Sequence, residues 1–130
     1  MSFPAELKYT KNDEWIRVQD GVGTVGITDY AQDQLSDIVF LEISASEGDE
    51  FSRGDELGEI ESVKAAAEIY LPVDGKITQV NGSIVDEPEV INSDPYGDGW
   101  LVQLEIKDPA QLEDLMDAAA YEEYCQDREH

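Results

Sequence analysis

A lysine set between two similar arms is the residue with the clearest chemical possibility in this chain. Lys64 lies ten residues after Gly54 and eleven residues before Gly75. Turn-forming residues on both sides predict two strands that meet at a turn, with Lys64 at the tip. A lysine side chain is almost always exposed, and most exposed lysines do no chemistry. The symmetry of the arms therefore predicts a lysine that is presented to a partner.

Lys64 is better suited to carry a group than to catalyse a reaction. A lysine nucleophile or general base needs burial or neighbouring cations, whereas Lys64 has Glu61 and Glu68 close by in sequence. Three alanines at 65–67 follow it and leave the amine accessible. Residues 63–64 lack the Gly or Asn that hairpin turns prefer, so the local residues do not themselves predict the turn. We expect a lysine that an enzyme modifies.

No other group of residues predicts a catalytic or metal site. Ser62 has no accompanying base to make it a nucleophile. Glu59 and Glu61 would share one solvated face of a strand rather than form a catalytic pair. The stretch 92–98 only faintly resembles a calcium loop, because its twelfth position is Gln103 where a bidentate Glu is needed. We therefore expect neither catalytic residues nor a bound metal.

Composition predicts one globular domain, spanning 1–130, with a very acidic surface. The 130 residues include 31 Asp and Glu against 8 Lys and Arg, a net charge of −23. This charge disfavours nucleic acid and anionic membranes as partners. Cys125 and His130 are the only cysteine and histidine, so an internal disulfide and a cysteine zinc cluster are excluded, and histidine chemistry is disfavoured.

The acidity has two candidate explanations. One is a high-salt cytoplasm, as in a halophile, where salt screens the repulsion between acidic side chains beyond a few ångströms. The other is docking onto basic partner enzymes, and both can hold. No apolar leader and no run of membrane-spanning length occurs in the sequence. We expect a cytoplasmic protein.

Short strands separated by turn pairs predict a mainly β fold. Alternation predicts strands over 15–18, 22–27 and 100–106, and the nearly all-apolar run 38–43 predicts a strand covered on both faces. Between 48 and 80 the turn pairs are spaced as in a sandwich or barrel. The glycines within 22–27, at 23 and 26, indicate close backbone approach or a bulge.

Two helices are predicted outside the strands. Thr28 is a good cap for a short helix over 29–35. Asp108 and Pro109 begin a C-terminal helix over about 108–126, with a capping-box-like spacing to Gln111. Its apolar residues fall at helical spacing and would pack on the sheet; they are Leu112, Leu115, Met116, Ala119, Tyr121, Tyr124 and Cys125. The segment 83–99 is predicted to be rich in loops.

Seven segments, in order, carry a resemblance to a known family. They are 14–15, 25–32 (VGITDYAQ), 37–40, 61–65 (ESVKA), 72–75, 80–81 and 92–100 (NSDPYGDGW). The chain resembles the H protein of the glycine cleavage system from about residue 9 to 124. The combination is highly specific, because all of the segments occur in the expected order.

The resemblance implies a non-enzymatic, monomeric lipoyl carrier with a barrel-sandwich hybrid fold and flanking helical segments. It implies lipoate linked as an amide to Lys64. It also implies three enzyme partners: a pyridoxal-phosphate glycine decarboxylase (P protein), a tetrahydrofolate-dependent aminomethyltransferase (T protein) and a flavin dihydrolipoyl dehydrogenase (L protein). The carrier would shuttle the aminomethyl group of glycine between the first two, and dihydrolipoyl to the third. Lipoate-attaching enzymes would be further partners.

The same resemblance assigns roles to five other residues. Glu14 matches a carboxylate near the cleft in which the loaded lipoyl arm docks. Glu68, which stands where relatives often have Asp, is assigned to docking of the arm as well. Glu61, Gly48 and Gly75 match features that a lipoate ligase recognises. The chain departs from the family pattern at 65–67 and also at residue 13, where Asp replaces the usual His.

Other functions remain possible from the residues. A lipoyl-relay protein, which donates lipoyl groups to other lipoyl domains, would use the same Lys64. A biotinyl carrier would require Met on each side of the lysine, whereas Val63 and Ala65 flank it here. A stand-alone enzyme has no supporting motif or base.

Overall fold

The described part of the chain, residues 2–128, folds into two antiparallel β-sheets with short helices at their edges in a computed structural model. His130, the histidine of the sequence, lies outside these residues. The strands are β1 (Lys8–Tyr9), β2 (Glu14–Gln19), β3 (Val22–Ile27), β4 (Ile38–Ile43), β5 (Glu50–Phe51), β6 (Glu56–Ser62), β7 (Ala66–Tyr70), β8 (Gly75–Val80) and β9 (Val102–Ile106). The helices are α1 (Asp29–Leu35), α2 (Gly82–Asp86), α3 (Val90–Ser93), a 3₁₀-helix (Pro109–Asp114) and α4 (Ala118–Arg128).

The two sheets enclose one apolar core. The larger sheet has the strand order β1-β2-β3-β9-β8-β5 and the smaller one β4-β6-β7. Ile16 and Val25 of the larger sheet belong to the same buried cluster as Ile60 and Ile69 of the smaller. Burial of apolar side chains between two faces is what stabilises a sandwich. The mainly β prediction is confirmed.

A second, aromatic cluster attaches α4 to the larger sheet. Tyr9 and Tyr121 stack with ring centroids 4.6 Å apart, and both are fully buried together with Trp15. Stacked and edge-on aromatic pairs contribute beyond their buried area. This cluster fixes the C-terminal helix against β1 and β2.

Several local predictions are confirmed. The strands at 22–27 and 38–43 and the helix at 29–35 have the predicted bounds. Thr28 caps α1 by accepting a hydrogen bond from the Ala31 N–H at 3.1 Å. A Cβ on Gly26 would lie 2.7 Å from the Trp15 indole, and one on Gly23 would lie 2.8 Å from Ile16. These two glycines are therefore sites of close approach, as predicted.

The prediction of a single helix over about 108–126 is wrong. A 3₁₀-helix ends at Asp114, and α4 begins only at Ala118. Between them Met116 and Tyr9 exchange two backbone hydrogen bonds of 2.8 and 2.9 Å, which need an extended backbone. Asp108 caps the first turn as expected, but the Gln111 side chain accepts from the Asp74 N–H instead of completing a capping box.

Two further predictions are corrected by the structure. Strand β4 is not covered on both faces, because Val39 and Phe40 are 57% and 45% exposed. The register of β4 against β6 shifts between Ile38 and Phe40. The segment 83–99 is less irregular than predicted, since it contains most of α2 and all of α3. Their buried Ile84 and Ile91 supply the tertiary packing that makes such short helices stable.

Candidate functional site: a presented lysine and a neighbouring cleft

Lys64 is exposed in the tight turn that joins β6 to β7. The turn is closed by Ser62, whose N–H donates to the Ala65 carbonyl at 2.8 Å. The Ser62 hydroxyl accepts from the backbone N–H groups of Ala65 and Lys64 at 3.0 and 3.3 Å. A serine that satisfies nearby backbone groups can form a turn without Gly or Asn. This explains how the hairpin turns at residues that do not predict a turn.

The turn is also fixed to the neighbouring strand. The Val63 N–H donates to the Asp37 carbonyl at 3.0 Å, and Ile38 pairs with Ser62 at the start of β4. These contacts hold the base of the turn while the Lys64 side chain remains exposed. The arrangement presents an amine on a well-anchored backbone, as a modifying enzyme requires.

A cleft of about 190 Å³ borders the same hairpin. Its apolar lining comes from α1, from β6 and β7, and from the end of β3; the residues are Ile27, Ala31, Leu35, Ile60, Ala67 and Ile69. Its polar lining consists of Asn12, Asp13, Glu14, Gln34 and Glu68. Apolar walls with a few carboxylates suit a hydrocarbon chain that ends in a cation. Ala67 lies three residues after Lys64, so the cleft begins close to the hairpin tip.

Glu14 is the buried acid of this cleft, with only 2% of its surface exposed. Its carboxylate accepts from the Thr10 hydroxyl at 2.6 Å and from the Tyr70 N–H at 3.2 Å. Desolvation by burial raises the pKa of Glu14 to about 7, and these two hydrogen bonds oppose the rise. Near neutral pH the group is divided between its charged and neutral forms, so a cation in the cleft would favour the charged form.

Asp13, beside Glu14, is part of a network from the C-terminal helix. Its carboxylate accepts from Arg128 at 2.8 and 3.0 Å, and from the Tyr121 hydroxyl at 2.8 Å. The Arg128 guanidinium also lies over the rings of Tyr30 and Tyr124. The hydrogen bond to Asp13 is the main cause that raises the pKa of Arg128. Asp13 therefore joins the cleft wall to α4.

The other residues singled out in the sequence lie in different places. Glu68 lines the cleft and accepts from the Tyr70 hydroxyl, whereas Glu61 is exposed on β6, opposite Phe40 and Ala66. Gly48 lies in a turn with φ +92°, where L side chains are strained. Gly75 is in β8 of the larger sheet, where a Cβ would lie 2.3 Å from Leu104. The structure thus brings Glu14 of β2 and Glu68 of β7 together at one cleft, whereas neither Gly48 nor Gly75 lines that cleft.

Thr10 and Arg128 are site residues that sequence reasoning missed. Thr10 accepts from the backbone N–H groups of Asn12 and Glu14 while it donates to the Glu14 carboxylate. Its position four residues before a strand acid is a weak local signal, typical of a polar turn. Arg128 reaches Asp13 across 115 residues of sequence, and no local pattern could indicate that contact.

Comparisons with known proteins bear on the identity of this arrangement. The sequence model of the family described as Glycine cleavage H-protein matches residues 7–128. The chain belongs to this family. A glycine cleavage system H protein from Thermotoga maritima is 51% identical over 118 residues, which cover 91% of this chain and 94% of that protein. One from Salinibacter ruber is 48% identical over 123 residues, covering 95% and 98%.

A solved structure agrees with the fold described above. The crystal structure of a glycine cleavage system H protein from Mycobacterium marinum matches with a TM-score of 0.82 and 33% sequence identity. The match covers 98% of this chain and 100% of that one. The fold expected from the resemblance, a mainly β sandwich with a few short helices, is confirmed.

Membership of the family establishes the function. The protein is a lipoyl carrier of the glycine cleavage system that shuttles intermediates between the P, T and L proteins. Like other H proteins it is a carrier and not a catalyst, and it bears lipoate on a lysine that a lipoate ligase modifies. Within residues 2–128 no helix is long and apolar enough to cross a membrane.

Proposed function

We propose that Lys64 is the lysine that carries the lipoyl group. The observation that carries this proposal is the placement of an exposed lysine at the tip of a hairpin whose turn is closed by Ser62. Substitution at an exposed tip leaves the core undisturbed, and a rigid turn gives the attaching enzyme a defined target. When bound, the lipoyl group supplies a dithiolane whose sulfurs exchange with thiols and take up the one-carbon unit.

We also propose that the cleft lined by Glu14 and Glu68 receives the loaded arm between visits. The apolar lining fits the methylenes of an arm, and the carboxylates fit a cationic amine at its end. Glu14 would hold that amine through its charged form, which the cation favours. A cleft that begins three residues from Lys64 makes this docking intramolecular, with a high effective concentration.

Recognition by the ligase is proposed to involve Glu61, which is exposed on the strand that leads to the turn. Gly48 and Gly75 would contribute indirectly, through the backbone of the turn and strand in which they lie. The chain is further proposed to act as one monomeric lipoyl-carrier domain in the cytoplasm. Its acidity is proposed to reflect a high-salt interior.

Peptide mapping after enzymatic lipoylation tests the attachment site. We expect the lipoyl mass on the peptide that contains Lys64, and none on the full-length Lys64→Arg protein. Lys76→Arg is the matched control, because Lys76 is exposed like Lys64 but lies on strand β8, outside the hairpin. A Lys64→Arg protein that gains the lipoyl mass, or supports glycine cleavage as sole carrier, contradicts the proposal.

The stability of the loaded carrier tests the docking proposal. After loading by the decarboxylase, the amine cargo is lost to water, and ammonia release measures the rate. We expect Glu14→Gln to speed the release several-fold. Without the charged carboxylate the amine is held less tightly, so it spends less time in a cleft that excludes water. Glu59→Gln removes an exposed carboxylate outside the cleft and should leave the rate unchanged. Equal rates of ammonia release in the wild type, Glu14→Gln and Glu59→Gln would show that the cleft does not hold the arm.

A further inference from the structure

Three exposed apolar side chains form a patch around the hairpin tip. Val63, Val39 and Phe40 are 66%, 57% and 45% exposed, and they are the most exposed large hydrophobic residues of the described chain. The next most exposed, Val85 and Val18, stand at 39% and 38%. We call Val39, Phe40 and Val63 the apolar patch. Neighbouring exposed apolar residues mark interaction sites more often than scattered ones do.

A β-bulge in β4 exposes two of the three patch residues. The register of β4 against β6 shifts between Ile38 and Phe40, so that two consecutive residues, Val39 and Phe40, face solvent between the buried Ile38 and Leu41. Bulges often re-aim side chains beside functional sites. The hydrogen bond from the Val63 N–H to Asp37 holds the turn next to the start of β4. The fold thus exposes apolar side chains beside Lys64 through a specific backbone irregularity.

Exposed acids lie on the same face of the smaller sheet. Cross-strand pairs place Glu42 opposite Glu59, Glu59 opposite Glu68, and Phe40 opposite Glu61. We call the four acids Glu42, Glu59, Glu61 and Glu68 the acidic frame. They lie on the same face as Phe40 because side chains alternate along a strand. Like charges that are directly opposite destabilise a sheet. Within the described residues none of the four forms an ion pair. A basic partner surface would complement them.

We propose that the apolar patch, flanked by the acidic frame, is the docking surface for the ligase that attaches lipoate. The inference rests on the proposal that Lys64 is the attachment site. The ligase is the partner favoured, because it must bring its reaction centre to the Lys64 Nζ itself, one residue from Val63. The decarboxylase, transferase and dehydrogenase act at the far end of the arm. The ligase surface is therefore expected to be apolar at its centre and ringed by Lys and Arg.

Lipoylation kinetics with the full-length apo chain test this surface. The ligase first joins the lipoate carboxylate to the AMP portion of ATP, which releases pyrophosphate. The Lys64 Nζ then forms the amide and displaces AMP, which keeps one carboxylate oxygen; two of the three ammonium protons are released and one stays on the amide nitrogen. Initial rates are followed by intact mass with purified ligase, lipoate and ATP. We expect the double variant Val39→Ser/Phe40→Ser to lower kcat/KM about tenfold or more, mainly through KM, as loss of central interface contacts does. Val63→Ser alone should lower it in the same direction.

The matched control is Val18→Ser/Val85→Ser, which removes two exposed valines elsewhere and should leave kcat/KM unchanged. Thermal melting checks that each variant is folded, and Val63→Ser provides a test that leaves β4 intact. Wild-type rates in folded Val39→Ser/Phe40→Ser and Val63→Ser proteins overturn the proposal. So does normal lipoylation combined with a slowed decarboxylase step in pre-lipoylated variants, which would assign the patch to the decarboxylase. Lipoylation of the wild type at another lysine instead overturns the Lys64 assignment.

Discussion

Burial of Glu14 couples the cleft to the stability of the whole fold. Its ordinary pKa is 4.5, and desolvation raises the folded-state value to about 7. The folded protein therefore binds a proton at this site more tightly than the unfolded chain does. Stability falls with rising pH wherever the folded state holds more protons. Glu14 thus opposes folding increasingly as pH rises from 4.5 to about 7, and by a constant amount above that.

Glu14→Gln should remove this pH-dependent cost. The raised pKa corresponds to roughly 3 kcal/mol, so the free energy of unfolding of the variant, relative to wild type, should rise by up to that amount between pH 4 and pH 8. Subtracting the wild-type free energy of unfolding from that of the variant at each pH removes the contribution of the other acids, because both proteins contain them. Urea denaturation at several pH values measures it.

Gln34→Ala serves as the control for this linkage, because it changes a polar residue of the cleft lining but removes no titratable group. Its difference from wild type should change little over the same pH range. A Glu14→Gln difference that stays flat from pH 4 to pH 8 would refute the account of Glu14 as a desolvated acid.

At the scale of elements, α4 is attached to the cleft wall by charge as well as by aromatic packing. Arg128 makes two hydrogen bonds to Asp13, and its side chain is only 29% exposed, against 19% for Asp13. Partly buried, bidentate pairs are the ion pairs that contribute measurably. By contrast, Arg53 and Asp114 form a pair whose side chains are 44% and 67% exposed.

Arg128→Ala should therefore destabilise the protein more than Arg53→Ala. For Arg128→Ala we expect the free energy of unfolding to fall by roughly 1.5–3 kcal/mol, as for hydrogen bonds to charged groups. Amide hydrogen exchange, relative to wild type, should speed up more in α4 than in β3. Arg53→Ala should cost less than about 1 kcal/mol, because exposed pairs contribute little. Equal losses in denaturant unfolding for the two variants would show that the Asp13 contact does not hold the helix.

These elements also show what local sequence can and cannot indicate. The strand at 22–27 and the cap at Thr28 follow from patterns within a few residues, and both were predictable. The break in the C-terminal helix depends on pairing of Met116 with Tyr9, more than a hundred residues away. The bulge at Val39 depends on the register with β6. Such features are decided by tertiary contacts, which override local propensity.

At the scale of the site, the same distinction holds. Glu14 and Glu68 were assigned together through the family resemblance, and the structure places both at one cleft. The burial of Glu14 and its contact with Thr10 were not predictable, because burial depends on which elements cover the residue. Arg128 was missed for the same reason.

At the scale of the whole molecule, repulsion among acids is the dominant electrostatic feature. The net charge is −23, and among residues 2–128 only Arg53, Lys107 and Arg128 make ion pairs. Most acids are therefore unneutralised and lie near other acids, as in the row Glu42, Glu59 and Glu68. Self-repulsion of this kind favours expanded states over the compact one.

Added salt should therefore stabilise this protein. The Debye length falls from about 10 Å at 0.1 M to about 3 Å at 1 M, so the repulsion in the folded state weakens and Tm in KCl at fixed pH should rise by several degrees. Glu42→Gln/Glu59→Gln removes two facing charges, so its Tm at low salt should be higher and its rise with KCl smaller. A sucrose series is the control, because sucrose stabilises folded proteins through its exclusion from their surface but does not screen charges. A Tm that is flat in KCl contradicts the hypothesis of adaptation to a high-salt interior and leaves basic partner surfaces as the reason for the charge.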